Sequence, residues 1–513
     1  MGWWRDAVLY HVYVRSFADS DGDGVGDLPG LTARLDHLAW LGVDALWLSP
    51  VGRSANEDWG YDVCSYDEVD PELGANADLE QLISAAGARG IRVVLDLVPN
   101  HTSDRHPWFA DPAKRDWYVW EDPGPDGGPP NNWKSIFGGP AWTLDEANGQ
   151  YYLHNFLDSM PDLNWWNPAV RAEFEAILRR WFDLGVAGVR VDVAHGLIHD
   201  RRLTDNPPAR PEDGPTAERL GQFMAHNLNQ PEVLEIYRDW RRLARGYEPE
   251  RLLLGETYVV DLDRLASFYE GGDGLQLALN FAVVHAELEE LADIVGATEA
   301  TLPEAAWPVL VGSSHDHVRF PTRWAGGDEE LARCALLALL TLRGTPILYQ
   351  GDELLMRQVD VSRERILDPV GLRLWPEERG RDGSRTPMPW ERGRGHGFTT
   401  PGVEPWLPFG EHAGSTVAEQ RADAGSALIL CRDLLALRRR EPDLRAGSYE
   451  RLDSSDGVWA YRRGGGIVVA LNLSNDAVGL DLGGTVLIAT GRAGEQASFD
   501  GTLAPRRGVV VRT

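Results

Sequence analysis

Short apolar runs recur along the first two-thirds of the chain, and most close on polar or acidic residues. They are AVLYHVYVRSF from Ala7, ALWLSP from Ala45, RVVLDLVP from Arg92, GVRVDVA from Gly188, LLLGET from Leu252, LQLALNF from Leu275, VLVGSSHD from Val309 and TPILYQGDE from Thr345. Runs of this length read as strands. Patterns of helical period lie between them: ADLEQLISAAGARG before the third, with Gly90 as the expected helix stop, and ELARCALLALLTLRG before the eighth. Eight strands alternating with helices predict an α/β fold, a (β/α)₈ TIM barrel rather than an open doubly wound sheet. No dinucleotide or phosphate-loop glycine pattern follows any strand.

Two interruptions and a change of texture set the domain boundaries. About ninety residues separate the third and fourth strands, and the stretch 101–165, rich in Pro, Gly, Trp and Asn, reads as an inserted subdomain over the barrel mouth. After Glu353 an Arg/Gly/Pro-rich segment runs to about Gln420 as a second elaboration. From about Gly447 short alternating strands take over: VWAYRR, IVVALNL, TVLIAT and GVVVRT. The expected units are a discontinuous barrel at 1–100 and 166–440, the insertion at 101–165 and a C-terminal all-β domain at 441–513.

Composition narrows the function. At 513 residues the chain suits two or three domains. A net charge of −29 argues against nucleic acid or an anionic membrane as partner. Cys64, Cys334 and Cys431 form no CxxC and are odd in number, against a disulfide framework or a thiol metal site. No basic-then-apolar leader opens the chain, and no apolar run reaches the roughly 18 residues of a membrane span. The expectation is a cytoplasmic protein, monomer or homodimer. Twenty tryptophans and fourteen tyrosines fill cores first, but they also supply flat faces on which sugar rings stack.

The chemistry lies at strand ends. Asp192, Glu256 and Asp316 each follow an apolar run, so each carboxylate emerges at the C-terminal mouth of the barrel, where active sites form. Converging carboxylates repel and spread their pKa values, which separates acid, base and nucleophile roles, as glycosidase chemistry requires. Arg190 lies two residues before Asp192 on the same strand face, and a guanidinium there keeps the carboxylate ionised, as a nucleophile must be. Glu256, shielded by aromatics near Tyr258, keeps its proton as a general acid. Asp316, beside His315, can orient hydroxyls and stabilise positive charge on the ring. Asp96 and His101 close the third strand, and Asp58 with Tyr61 pairs a carboxylate with a stacking ring.

The motifs DLVPNHTS, GVRVDVAHG, GET and SSHD, in this order, resemble the regions shared by the α-amylase superfamily, glycoside hydrolase family 13. VLYHVYVRSFADSDGDGVGDLPGL, PDLNW from Pro161, YQGDE and GRDGSRTPMPW resemble its α-glucosidase and oligo-1,6-glucosidase subgroup, over essentially the whole chain. The resemblance implies Asp192 as nucleophile, Glu256 as acid/base and Asp316 as transition-state stabiliser, with retention through a covalent glycosyl-enzyme. It implies that Asp58, Tyr61, His101, Arg190, His315 and Arg385 hold the sugar, and that the C-terminal domain is a β-sandwich. The expected ligand is a short oligosaccharide or α-glucoside.

In the loop DSDGDGVGD, Asp19, Asp21, Asp23 and Asp27 alternate with glycines and place several oxygens around one point, as a hard cation prefers. In the resembled subgroup this loop binds structural Ca²⁺ or Mg²⁺, with the carbonyl at the Val25 position contributing. No metal in catalysis and no organic cofactor are expected. The chain departs from the subgroup at Ser314, where Asn is usual, at Met160, often Gln, and at Cys64–Ser65 before Tyr66. Val193 after the nucleophile tends to accompany α-1,6 preference in relatives. The alternatives are a transglycosylase or isomerase acting on sucrose, maltose or trehalose through the same carboxylates, though no RLDRD-like motif is present, and a non-catalytic sugar-binding or scaffold homologue.

Overall fold

The computed structural model describes residues 2–410 and 415–513; Met1 and residues 411–414, which fall within the span expected for the barrel, lie outside the described residues. All eight apolar runs form strands: β1 Leu9–Val12, β2 Ala45–Leu48, β3 Arg92–Leu97, β4 Gly188–Val191, β5 Leu252–Gly255, β6 Leu277–Ala278, β7 Val309–Val311 and β8 Thr345–Tyr349. They run parallel and are hydrogen-bonded in the order β7, β8, β1, β2, β3, β4, β5, β6. Among the described residues only the seam between β6 and β7 lacks a ladder, so the barrel is nearly closed.

Strand periodicity decides what faces inward. On β2, Ala45 and Trp47 join Leu9, Val94, Leu254 and Ile347 in the cluster that fills the barrel. Leu46 and Leu48 join Leu35, Leu38 and Leu82 of the surrounding helices. Each buried Leu contributes about 1.5–3 kcal/mol, so a one-residue slip, which would reverse every side chain of a strand, is strongly disfavoured. The same register sets the polar positions: Asp96 on β3 pairs directly with Arg190 on β4.

Two elements differ from expectation. β6 keeps only two residues of the LQLALNF run because side chains take the place of the ladder: Gln276 Oε1 accepts from Leu253 N (2.9 Å) and Tyr269 Oη from Ala278 N (3.3 Å). The helix expected to stop at Gly90 spans Asn76–Gly87, and Gly90, at φ 75°, instead turns the chain into β3.

Between β3 and β4 the chain builds a three-stranded antiparallel sheet, Trp120–Glu121, Gln150–Leu153 and Trp142–Asp145, over a small core of Val119, Trp133, Ala141, Trp142 and Leu153. It returns through the helix Pro168–Leu184, capped by Asn167 and ended by left-handed Gly185. A further elaboration, one the sequence did not lead us to expect, follows β4. Its backbone is clasped to the first one by Trp133 Nε1 donating to Thr204 O (2.8 Å) and by the Asn132 side chain, whose Nδ2 donates to Asn206 O (2.9 Å) and whose Oδ1 accepts from Asn206 N (2.8 Å). The C-terminal region is all β: β9 Tyr449–Leu452, β10 Val458–Arg463, β11 Ile467–Asn472, β12 Thr485–Ala489 and β13 Arg507–Arg512 form one antiparallel sheet, with a two-stranded ribbon at Val478–Gly479 and Thr502–Leu503. No helix of the described residues is long and apolar enough to cross a membrane.

Candidate active site

Arg190 is buried at the mouth of the barrel and serves three carboxylates. Nη1 donates to Asp96 (2.8 Å) and Asp192 (2.6 Å), and Nη2 lies 2.6 Å from Glu256 Oε1. Glu256 Oε2 accepts the Val193 N–H at 3.0 Å. That N–H is aimed by an unusual backbone: Val193 sits at φ 47°, a left-handed conformation that costs a β-branched residue about 1–3 kcal/mol. The expectation paired Arg190 with Asp192 alone; in the structure its charge is divided among Asp192, Asp96 and Glu256. Burial, then Glu256, Asp96 and Asp316, push Asp192 well up, with Arg190 opposing. Burial likewise pushes Asp96 up to about 7. One cation among three carboxylates leaves protons that belong to the group rather than to one residue.

Asp316 has different company. Arg385 Nη2 donates at 3.0 Å and Arg381 Nη1 at 3.3 Å, while His315 Nε2 lies 3.1 Å from its other oxygen. Burial would raise Asp316, yet its neighbours hold it well below the usual carboxylate range. His315 leads those neighbours, followed by the guanidiniums of Arg381 and Arg385. Tyr61 Oη bridges the two halves of the site, 2.5 Å from His315 Nε2 and 3.2 Å from Asp96.

Above these groups opens a cavity of about 500 Å³. Asp192, Glu256 and Asp316 line it together with Asp58, Tyr61 and His101. Arg190, His315 and Arg385 are fully buried beneath that wall. Burial pushes Asp58 up to about 7 despite its ion pair with Arg381, and holds His101 at about 3, its Nε2 without a protein partner. Tyr258, expected as part of an aromatic shield for Glu256, packs on Phe281 at 4.4 Å and bonds Thr216. Of the departures, Met160 is in the cavity wall, as is the variable Val193, and the Ser314 hydroxyl is used locally, 3.0 Å from His317 Nδ1 and accepting from Asp316 N.

Sequence reasoning missed two parts of this site. Arg381 ties Asp58, Asp316 and Asp368 together on the cavity wall, whereas Arg385, four residues on, acts from below. Both lie in GRDGSRTPMPW, so the motif was visible but the division of labour was not. The opposite wall, including Thr216, Arg219, Phe223 and Met224, comes from the elaboration after β4. Arg219 pairs with Glu378 (3.3 Å) and donates to Ile136 O (2.7 Å), joining three distant segments by contacts that leave no sequence signature.

At the rim of the N-terminal loop, oxygens of Asp19, Asp21 and Asp27 lie within 4.8 Å of one another. Asp27 also caps the helix Leu28–Ala33 through Gly30 N, and Asp23 turns to the Val25 N–H (2.7 Å). Three hard oxygen donors at this spacing fit a divalent cation.

Residues 11–447 match the family model of the α-amylase catalytic domain. The chain is 41% identical to a probable α-glucosidase of Rhizobium meliloti, covering 94% of this chain and 91% of that one. It is 34% identical to an oligo-1,6-glucosidase of Heyndrickxia coagulans, covering 93% of each. Among solved structures, the α-glucosyl transfer enzyme XgtA superposes with a TM-score of 0.92 at 39% identity, covering 100% of this chain and 99% of that one. The trehalulose synthase MutB does so with 0.91 at 30%, covering 100% of both. With a barrel whose mouth gathers three carboxylates around a sugar-sized cavity, the chain belongs to the α-amylase family, glycoside hydrolase family 13, in its α-glucosidase and oligo-1,6-glucosidase subgroup.

Proposed function

We propose that this enzyme is an exo-acting retaining α-glucosidase that removes terminal α-linked glucose from short oligosaccharides or α-glucosides. The observation that carries the reading is the shared guanidinium: Asp192 and Glu256 each sit 2.6 Å from a nitrogen of Arg190, which suits the close carboxyl pair, roughly 5 Å apart, of a retaining site. Asp192 attacks the anomeric carbon as Glu256 gives its proton to the leaving oxygen; Glu256 then takes a proton from water, which releases the sugar. The carboxylates around Arg190 share that proton, and attack proceeds from the state in which Asp192 is ionised and Glu256 carries it. Asp316, kept ionised by Arg381 and Arg385, faces the positive charge that develops on the ring. His101 Nε2, without a protein partner, is left for a sugar hydroxyl, and Asp58 grips others. A cavity of about 500 Å³ suits a short ligand rather than a polymer.

Hydrolysis of p-nitrophenyl α-glucoside, maltose, isomaltose, sucrose and trehalose, with the first-formed anomer read by NMR, tests this. Release of α-glucose from at least one of them is expected, and β-glucose or no hydrolysis of any would overturn it. Asp192→Asn and Glu256→Gln should each lower kcat by at least about a thousandfold with the fold intact. A second reading, glucosyl transfer or isomerisation through the same carboxylates, is favoured by the apolar side chains of Met160, Phe137, Phe156 and Phe223 in the cavity wall, which would favour a sugar acceptor over water. Longer or isomeric sugars among the products would establish it. Asp19, Asp21 and Asp27, with the Val25 carbonyl, would hold a structural Ca²⁺ or Mg²⁺ that stiffens the loop and takes no part in the chemistry. The three free cysteines support a cytoplasmic enzyme, which cell fractionation checks.

A further inference from the structure

The base of the barrel, opposite the catalytic mouth, holds a second cavity of about 290 Å³. Ala7 and Val8 lead into β1, Asp44 precedes β2 and Arg92 begins β3, so one wall is the N-terminal rim of the barrel. Arg438 and Arg439, at the end of the helix Ala427–Arg440, and Arg445 beyond it form the other. Four arginines thus face two aspartates, Asp6 and Asp44, in a chain whose net charge is −29.

Only Arg439 is paired, with Asp44 at 2.9 Å. Among the described residues, Arg92, Arg438 and Arg445 have no carboxylate within ion-pair distance. Arg438 is fully buried and donates to the carbonyls of Leu340, Leu342 and Gly344. Arg463, whose charge bears on Arg438, is equally buried and donates to Thr341, Leu444 and Gly447 carbonyls. A guanidinium does not shed its proton, so carbonyl partners solvate these charges without neutralising them. Clipping the carbonyls at the end of a helix is an ordinary structural use of arginine and accounts for Arg438. It does not account for Arg92, which rests over the Trp3 ring at 4.8 Å, or for Arg445, whose Nε is buried without a partner.

We propose that this cavity binds a small dianion, inorganic phosphate or the phosphate group of a small ester, gripped by Arg92 and Arg445 in the positive field of Arg438 and Arg463. Phosphate offers each guanidinium a fork of oxygens and matches the two uncompensated charges at the cavity wall. Asp192, Glu256 and Asp316 line the other cavity, so hydrolysis should continue with this one empty.

Isothermal titration of the full chain with inorganic phosphate, and separately with glucose 6-phosphate, at constant ionic strength set by chloride, tests this. One saturable site per chain is expected for at least one of the two. Tighter binding of phosphate identifies the free anion as the ligand, and tighter binding of the ester identifies a phosphorylated small molecule. The double variant Arg92→Ala/Arg445→Ala should weaken binding at least about tenfold and leave hydrolysis of an aryl α-glucoside unchanged. Arg445→Gln, a milder change at a half-buried position, should weaken it at least about threefold. The absence of a saturable site with either ligand, or undiminished affinity in these variants, overturns the proposal.

Discussion

Arg190 is one cation for three acids, and that ratio sets the protonation of the resting site. The expectation from sequence paired it with Asp192 alone, because neighbours across strands are invisible in the chain order. Asp58 makes the consequence measurable. Burial lifts it from an unfolded value of about 3.9 to about 7, so between these values folding takes up a proton. Its contribution to stability is full below the lower value and is lost as pH rises through the upper one. Asp58→Asn should therefore flatten the fall in Tm between pH 5 and pH 8, and a wild-type slope in this variant would refute the assignment. Val193 gives a second residue-scale prediction. At φ 47° the usual order of small residues reverses, and Val193→Gly should be more stable to urea than Val193→Ala by about 1 kcal/mol. Equal stabilities would mean that the backbone there is not strained.

The strands were legible as elements because burial on the barrel forces apolar runs of nearly fixed length, each ending where chemistry begins. The loops were legible only where a motif marked them. DLVPNHTS and SSHD led to His101 and Asp316 on the cavity wall and to His315 buried beneath it, and Asp58 with Tyr61 lies on the same wall. The wall from Thr216 to Met224 has no periodicity and no motif, since its position is fixed by tertiary contacts such as Arg219 with Glu378 and Trp133 with Thr204. Arg381 was passed over for Arg385 because a spacing of four in a loop does not reveal which side chain surfaces. The cation proposed for the acidic loop is open to a direct test by chelation. Asp19 and Asp27 already accept backbone N–H groups, so the loop is shaped without an ion but crowded with charge. EDTA should lower Tm by several degrees and Asp21→Asn should abolish that sensitivity; a Tm indifferent to chelator would remove the cation from the account.

Across the whole molecule the C-terminal sheet is anchored to the barrel by buried polar bonds as well as apolar packing. Arg463 reaches the carbonyl of Thr341, and Tyr461 Oη lies 2.6 Å from the Thr341 hydroxyl. The helix Glu329–Thr341 thereby serves both units, which ties β7 and β8 on either side of it to the C-terminal sheet. β6 has no such support: its two residues ladder only with β5, and the next strand round, β7, ladders only with β8. Glu256 hangs from β5 and Asp316 from β7, so the proposed acid/base and stabiliser stand on opposite banks of the one unlaced joint among the described residues. The main-chain protons of Leu277 and Ala278 should consequently swap for deuterium well before those of β1 to β4, and a bound glucose bridging both banks should slow that swap. The catalytic carboxylates would then be spaced as much by the sugar as by the barrel.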